Sequence, residues 1–224
     1  MTDIAAPLDT AGTVRDENAF DPRAILPFLK SQIPDLADGP LELRQFPGGA
    51  SNLTYQLSVG TREMILRRPP SGTKAKGAHD MGREFRVLAR LNPHFACPKP
   101  LAYCEDTSLI GSDFYVMDKL TGVILRRDLP AGVSYSPEHA RQLCLNLIDT
   151  QIALHQLDYQ AAGLSDMGKP AGYVGRQVSG WSERFGRVIT DDIPSYDGIT
   201  SWLKANMPAE WKACEKPISV SECP

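Results

Sequence analysis

Residues 41–68 read "LELRQFPGGASNLTYQLSVGTREMILRR", and this stretch decides the fold. "LELRQF" (41–46), "LTYQLSV" (53–59) and "REMILRR" (62–68) each alternate apolar with polar side chains. That period of two is the mark of a strand with one buried face. The first two runs flank the glycines, and Gly60 joins the second run to the third. The pattern predicts a three-stranded antiparallel meander. Taken alone, "PGGASN" (47–52) is a turn, because it matches neither the Walker pattern nor G-x-G-x-x-G.

Downstream, "GAHDMGREFRVLARLN" (77–92) places Met81, Phe85, Leu88 and Leu91 on one helical face. "KPLAYCED" (99–106) and "SDFYVMDKL" (112–120) then read as two more strands. Together these elements predict a five-stranded antiparallel sheet with one helix inserted after its third strand. Upstream, "DPRAILPFLKSQIP" (21–34) reads as a short helix with Asp21 as N-cap and Pro22 in the first turn. Its stripe is Ile25, Phe28, Leu29 and Ile33. Residues 1–20 are polar and are expected to be flexible.

Beyond residue 120 the character changes. "TGVILRRDLPAGVSYS" (121–136) is linker-like, and residues 136–158 form a long helix with Ser136 as N-cap and Pro137 at its first position. Ala140, Leu143, Leu147, Gln151 and Leu154 give it the stripe of a core helix in an α-rich lobe. "GYVGRQVSGWSERFGRV" (172–188) and "GITSWLKANMPAEW" (198–211) add one or two further helices. The expected organisation is a sheet lobe over 21–120, a partial helical lobe over 121–212 and an irregular tail over 213–224. The fold class is α+β.

Composition narrows the possible functions. A net charge of −3 and a pI near 5.8 argue against an electrostatic nucleic-acid binder. Five cysteines, an odd number with no C-x-x-C pair, argue against a disulfide framework and for reduced cytosolic thiols. No apolar run reaches the length of a membrane span, and the first residues lack the apolar core of a signal peptide. These features predict a soluble, cytoplasmic protein.

Glu84 is the residue whose position asks for an explanation. At about 100° per residue it falls within the stripe of Met81, Phe85, Leu88 and Leu91. A carboxylate on a packed face is costly unless a cation meets it. Arg67 and Arg68, at the end of the third strand, are the candidate cations. The alternative is a carboxylate at the stripe's edge that reaches solvent.

A glycine-containing loop, a cation on the third strand and a carboxylate on the next helix resemble the N-lobe of protein-kinase-like phosphotransferases. Six strings sharpen the likeness: "GGASNLTY", "ILRRPPSG", "REFRVLARL", "CPKPLAYCED", "FYVMDKLTG" and "LHQLDYQAAGL". Their order and spacing resemble the aminoglycoside-phosphotransferase family, in the branch similar to the kinase-like domain of some acyl-CoA dehydrogenases. The resemblance spans residues 22–205.

It implies a protein-kinase-like fold and ATP-dependent transfer of the γ-phosphoryl group, with Mg2+, to a hydroxyl of a small molecule. Gly48, Gly49, Ala50, Ser51 and Asn52 would cover the phosphates with backbone N–H groups. Arg67 would be the strand-three cation, oriented by Glu84. Met117 would be the gatekeeper, and Asp118, Lys119 and Leu120 the hinge whose backbone bonds the adenine edge.

The family's transfer chemistry also needs a His-x-Asp loop with Asn five residues after the Asp, and a second Asp for magnesium. His79, His94, His139 and His155 are followed at the second position by Met81, Phe95's neighbour Ala96, Arg141 and Leu157. None begins such a loop, and no Asp follows Asp197. A chain truncated before its catalytic loop, and inactive by itself, is the expectation. A non-catalytic nucleotide-binding or regulatory module is the alternative.

Overall fold

The computed structural model describes residues 10–47, 52–70, 72, 79–125, 129, 134–169 and 171–207. The chain forms two compact units, Met1–Leu154 and His155–Pro224. The division falls at the end of the long helix, rather than at residue 120.

In the first unit, strands β1 (Glu42–Gln45), β2 (Leu53–Val59), β3 (Arg62–Arg68), β4 (Pro100–Cys104) and β5 (Phe114–Asp118) form one sheet in the order β1-β2-β3-β5-β4. Every neighbouring pair is antiparallel. The inserted helix, α2 (Met81–Leu91), follows β3, as its 3.6-residue period predicts. Asp80 caps it, accepting from the Arg83 backbone N–H at 2.7 Å.

The period of two sorts the sheet into two faces. One face carries Tyr55, Leu57, Val59, Met64, Leu66, Ala102, Phe114 and Val116, all buried with α1 (Leu26–Gln32) and its neighbours in a single core. Phe28 packs edge-on against Phe114 at 5.8 Å. The other face carries Ile65 and Arg67 on β3 opposite Met117 and Tyr115 on β5. Helix α2 lies against this second face, where Phe85 stacks on Tyr103 at 5.7 Å and meets Tyr115 at 6.4 Å. Gly82 makes that approach possible: a Cβ there would sit 2.8 Å from the Tyr103 hydroxyl.

Three local expectations are revised. The helix read over 21–34 is a 3-10 turn (Pro22–Ala24) followed by α1. Pro27 is the reason, since it has no N–H for a bond back to Arg23 and its ring would crowd that carbonyl. The Asp21 cap is present, accepting from Arg23 N–H at 2.9 Å.

The stretch from residue 10 to 20 is not loose. Gly12 pairs with Gln45 beside β1, and Gln45 accepts from Arg15 N–H at 3.0 Å. The Asn18 carbonyl accepts from the Tyr55 hydroxyl at 2.8 Å. Val14 and Phe20 also pack against the core, so backbone and side chains together hold the segment.

The long helix α3 (Pro137–His155) starts at its Ser136 cap, which accepts from His139 N–H at 3.2 Å. It buries no side chain, and Leu147 on its stripe is 69% exposed. The stripe is present, but the packing expected of a core helix is not.

The second unit contains a 3-10 turn (Ser165–Met167), α4 (Tyr173–Val188) and α5 (Asp197–Ala205). Phe185 at the end of α4 meets Tyr196, just before α5, edge-on at 5.1 Å. No residue of α4 or α5 is buried. Among the described residues, no helix is long and apolar enough to cross a membrane. Cys97, Cys104 and Cys144 are free thiols.

Candidate functional site

Strand alternation decides which arginine meets Glu84. Arg67 and Arg68 are consecutive, so they point to opposite faces of the sheet. Arg67 lies on the α2 side, and its guanidinium reaches Glu84 Oε2 at 3.1 Å. Tyr115, directly across from Arg67 on β5, donates to the same carboxylate oxygen at 3.0 Å. The Arg67 guanidinium also donates to the Tyr115 hydroxyl at 3.2 Å. The three groups form a closed triangle.

This triangle holds a positive charge in a fixed position without consuming all its donors. Arg67 and Glu84 side chains are each about one-third exposed, so their Coulomb attraction is moderated by solvent. The buried Tyr115 ring supports one side of the guanidinium, 6.0 Å from ring centroid to its central carbon. Burial pushes the Tyr115 hydroxyl up to about 12, so it remains a hydrogen-bond donor across the physiological range. The Arg67 Nε–H is buried and has no partner among the described residues.

Arg68 faces the core. It is 6% exposed, with Nε donating to Tyr55 Oη at 3.2 Å and its two terminal nitrogens to the carbonyls of Ile110 at 2.9 Å and Asn18 at 2.8 Å. Phe20 and Tyr55 flank it at 5.2 and 5.4 Å. Its role is to join the sheet to residues 12–20.

Glu84 is reached from a second direction. Asn52, buried at the start of β2, donates from Nδ2 to Glu84 Oε1 at 2.8 Å. The opposite side of the same amide meets His79 Nδ1 at 2.9 Å. Gly48, Gly49, Ala50 and Ser51 lie outside the described residues. Of the five loop residues, Asn52 alone is placed, and its side chain turns inward onto the carboxylate.

The expected hinge leaves β5 at Asp118. Met117 lies across from Ile65, on the same face as Tyr115 and Arg67. The Asp118 N–H donates to the Lys99 carbonyl at 2.9 Å, so that donor is already engaged within the sheet. The Lys119 ammonium is bonded to Glu63 Oε2 at 2.6 Å, and Leu120 is 64% exposed. Met117 thus shares the face of the ion pair, whereas Asp118 pairs with Met64 of the core face.

Comparison with known proteins shows the family. The profile of the phosphotransferase enzyme family, APH, matches residues 42–219. The chain belongs to this family. Mouse acyl-CoA dehydrogenase family member 10 is 34% identical over 198 residues, which cover 88% of this chain and 18% of that protein. Rat acyl-CoA dehydrogenase family member 11 is 35% identical over 199 residues, 87% of this chain and 25% of that protein. The chain therefore spans a quarter or less of these relatives' length.

A crystal structure of a proposed aminoglycoside phosphotransferase from Ralstonia eutropha superposes with a TM-score of 0.67 at 32% identity. It covers 86% of this chain and 55% of its own. The phosphotransferase family accounts for the five-stranded sheet, the inserted helix and the helices beyond.

Tyr115 and His79 were not singled out as site residues from the sequence. Tyr115 reads there as one residue of an apolar strand, and only its register opposite Arg67 reveals it. His79 gives a faint signal, two positions before the first apolar residue of α2. Among the described residues, no group of three or more His, Cys, Asp or Glu side chains could hold a metal ion.

Proposed function

We propose that the sheet lobe binds ATP, with Arg67 contacting the phosphates and the β5 hinge contacting the adenine edge. The observation that carries this reading is the Arg67 guanidinium. It is fixed by Glu84 and Tyr115, yet its side chain stays about one-third exposed. A pre-positioned cation that solvent can reach suits a phosphate oxygen. Met117, Asp118, Lys119 and Leu120 would line the base end, and Gly48, Gly49, Ala50, Ser51 and Asn52 the phosphate end.

The activity proposed at family level is transfer of the ATP γ-phosphoryl group to a hydroxyl of a small molecule. The described donor set fits the nucleotide but not magnesium, so no step is assigned to the metal. Nor is a base assigned, because none of the four histidines in this sequence opens a His-x-Asp loop. The alternative reading is a nucleotide-binding or regulatory module.

Titration calorimetry with ATP tests the binding site. The wild-type chain is expected to bind, and Arg67→Met to weaken binding at least tenfold, about 1.4 kcal/mol. Equal affinity for both proteins would remove Arg67 from the site. Incubation with ATP and a panel of hydroxylated metabolites then separates the readings, since turnover supports the transferase and binding without turnover the module.

A further inference from the structure

The contact between His79 and Asn52 is not explained by the ion pair alone. Glu84 accepts from Asn52 Nδ2, which orients the amide with Oδ1 toward His79. An amide oxygen only accepts, so His79 must present a protonated Nδ1. A chain of hydrogen bonds therefore runs from His79 through Asn52 and Glu84 to Arg67. The two oxygens of Glu84 are divided, Oε1 to Asn52 and Oε2 to Arg67 and Tyr115.

The backbone supplies an independent observation. His79 has φ of 58°, the left-handed region, and no other non-glycine among the described residues has a positive φ. A side chain with a Cβ is strained there, whereas glycine adopts it freely. If this position served only to turn the chain into Asp80 and α2, glycine would serve better. A histidine held in that conformation indicates that its ring is what the position requires.

We infer that His79 and Asn52 are positioning residues for the anion site, a brace that sets Glu84, and through it Arg67, before ligand arrives. The brace crosses between elements distant in sequence, tying the start of β2 to the first turn of α2. Asn52 prevents the carboxylate from rotating away from Arg67, and His79 prevents the Asn52 amide from flipping, since a flipped amide would set its oxygen against Glu84. Preorganisation of this kind strengthens binding by reducing what must be ordered when the ligand arrives. The inference rests on ATP being the ligand of Arg67.

The test compares His79→Gly, His79→Asn and Asn52→Ala with the wild-type chain, using ATP as probe in titration calorimetry. Thermal unfolding is followed in parallel. His79→Gly is expected to weaken ATP about fivefold without lowering the melting temperature, because the glycine relieves the strained backbone. His79→Asn, which tolerates this conformation and offers an amide donor, is expected to restore most of the affinity. Adding His79→Gly to Asn52→Ala is expected to cost nothing further.

Nitrogen NMR of the imidazole is expected to show a proton on Nδ1. Unchanged affinity in His79→Gly, or an Nδ1 found without a proton, overturns the brace while leaving the ATP site standing. A wild-type chain that takes up no ATP overturns the ATP site, and the positioning role falls with it.

Discussion

Arg67 and Arg68 are adjacent on one strand, carry the same group and serve opposite faces of one sheet. On the α2 face, Arg67 is held by an acid and a phenol, is one-third exposed and retains an unpartnered donor among the described residues. On the core face, the donors of Arg68 go to neutral oxygens: two backbone carbonyls and a phenol receive them, between two aromatic rings. Charge pairing with partial exposure to solvent marks the α2 face. Geometric satisfaction by neutral oxygens marks the core one. The same side chain is left partly exposed or locked in the core according to which acceptors surround it.

The sharpest way to break this contrast is Arg68→Met. It leaves the Asn18 and Ile110 carbonyls and the Tyr55 hydroxyl short of a donor in a buried place, where each such loss costs about 1–3 kcal/mol. Loss of stability on the order of 3 kcal/mol or more is expected in urea unfolding. A loss below about 1 kcal/mol would mean that residues 12–20 are not held through this side chain.

Tyr115 tests the α2 face by pH. Unfolded tyrosine releases its proton near 10, whereas the folded hydroxyl, desolvated by burial, holds it to about 12. Across that window the unfolded state carries fewer protons, so stability falls as pH rises. Burial raises Tyr55 and Tyr103 as well, so they share in the alkaline loss. Tyr115→Phe is expected to remove on the order of 2 kcal/mol of the loss between neutral and strongly alkaline pH. An unchanged alkaline profile would contradict burial of this hydroxyl.

The smallest effect on stability is expected from Arg67→Met. A partly exposed ion pair contributes about 0–1 kcal/mol, so unfolding should shift little while ATP binding falls. If Arg67→Met destabilised the chain as much as Arg68→Met, the two faces would not differ in the way described.

The sheet was legible because each strand announces itself by alternation, and α2 by its stripe. The same rules placed Glu84 on a packed face that demands a cation. They could not choose between Arg67 and Arg68, since that choice depends on which face α2 covers. Tyr115 was hidden for a related reason: a cross-strand neighbour is known only once register is fixed.

Elsewhere the limits are of another kind. The stripe of α3 records an ability to pack, but it does not specify a partner, and Leu143, Leu147 and Leu154 remain exposed. The polar composition of residues 10–20 suggested looseness, because composition shows neither the backbone bonds nor the Val14 and Phe20 contacts that hold this segment.

That last feature bears on where a working fragment can be cut. The family match starts at residue 42, and the apparent first helix at residue 21 offers a tempting boundary. Either cut would delete Asn18, whose carbonyl receives both Arg68 and Tyr55, along with Gly12, the partner of Gln45. The smallest autonomous piece of this lobe is therefore wider than the homology that identifies it, and begins before Gly12.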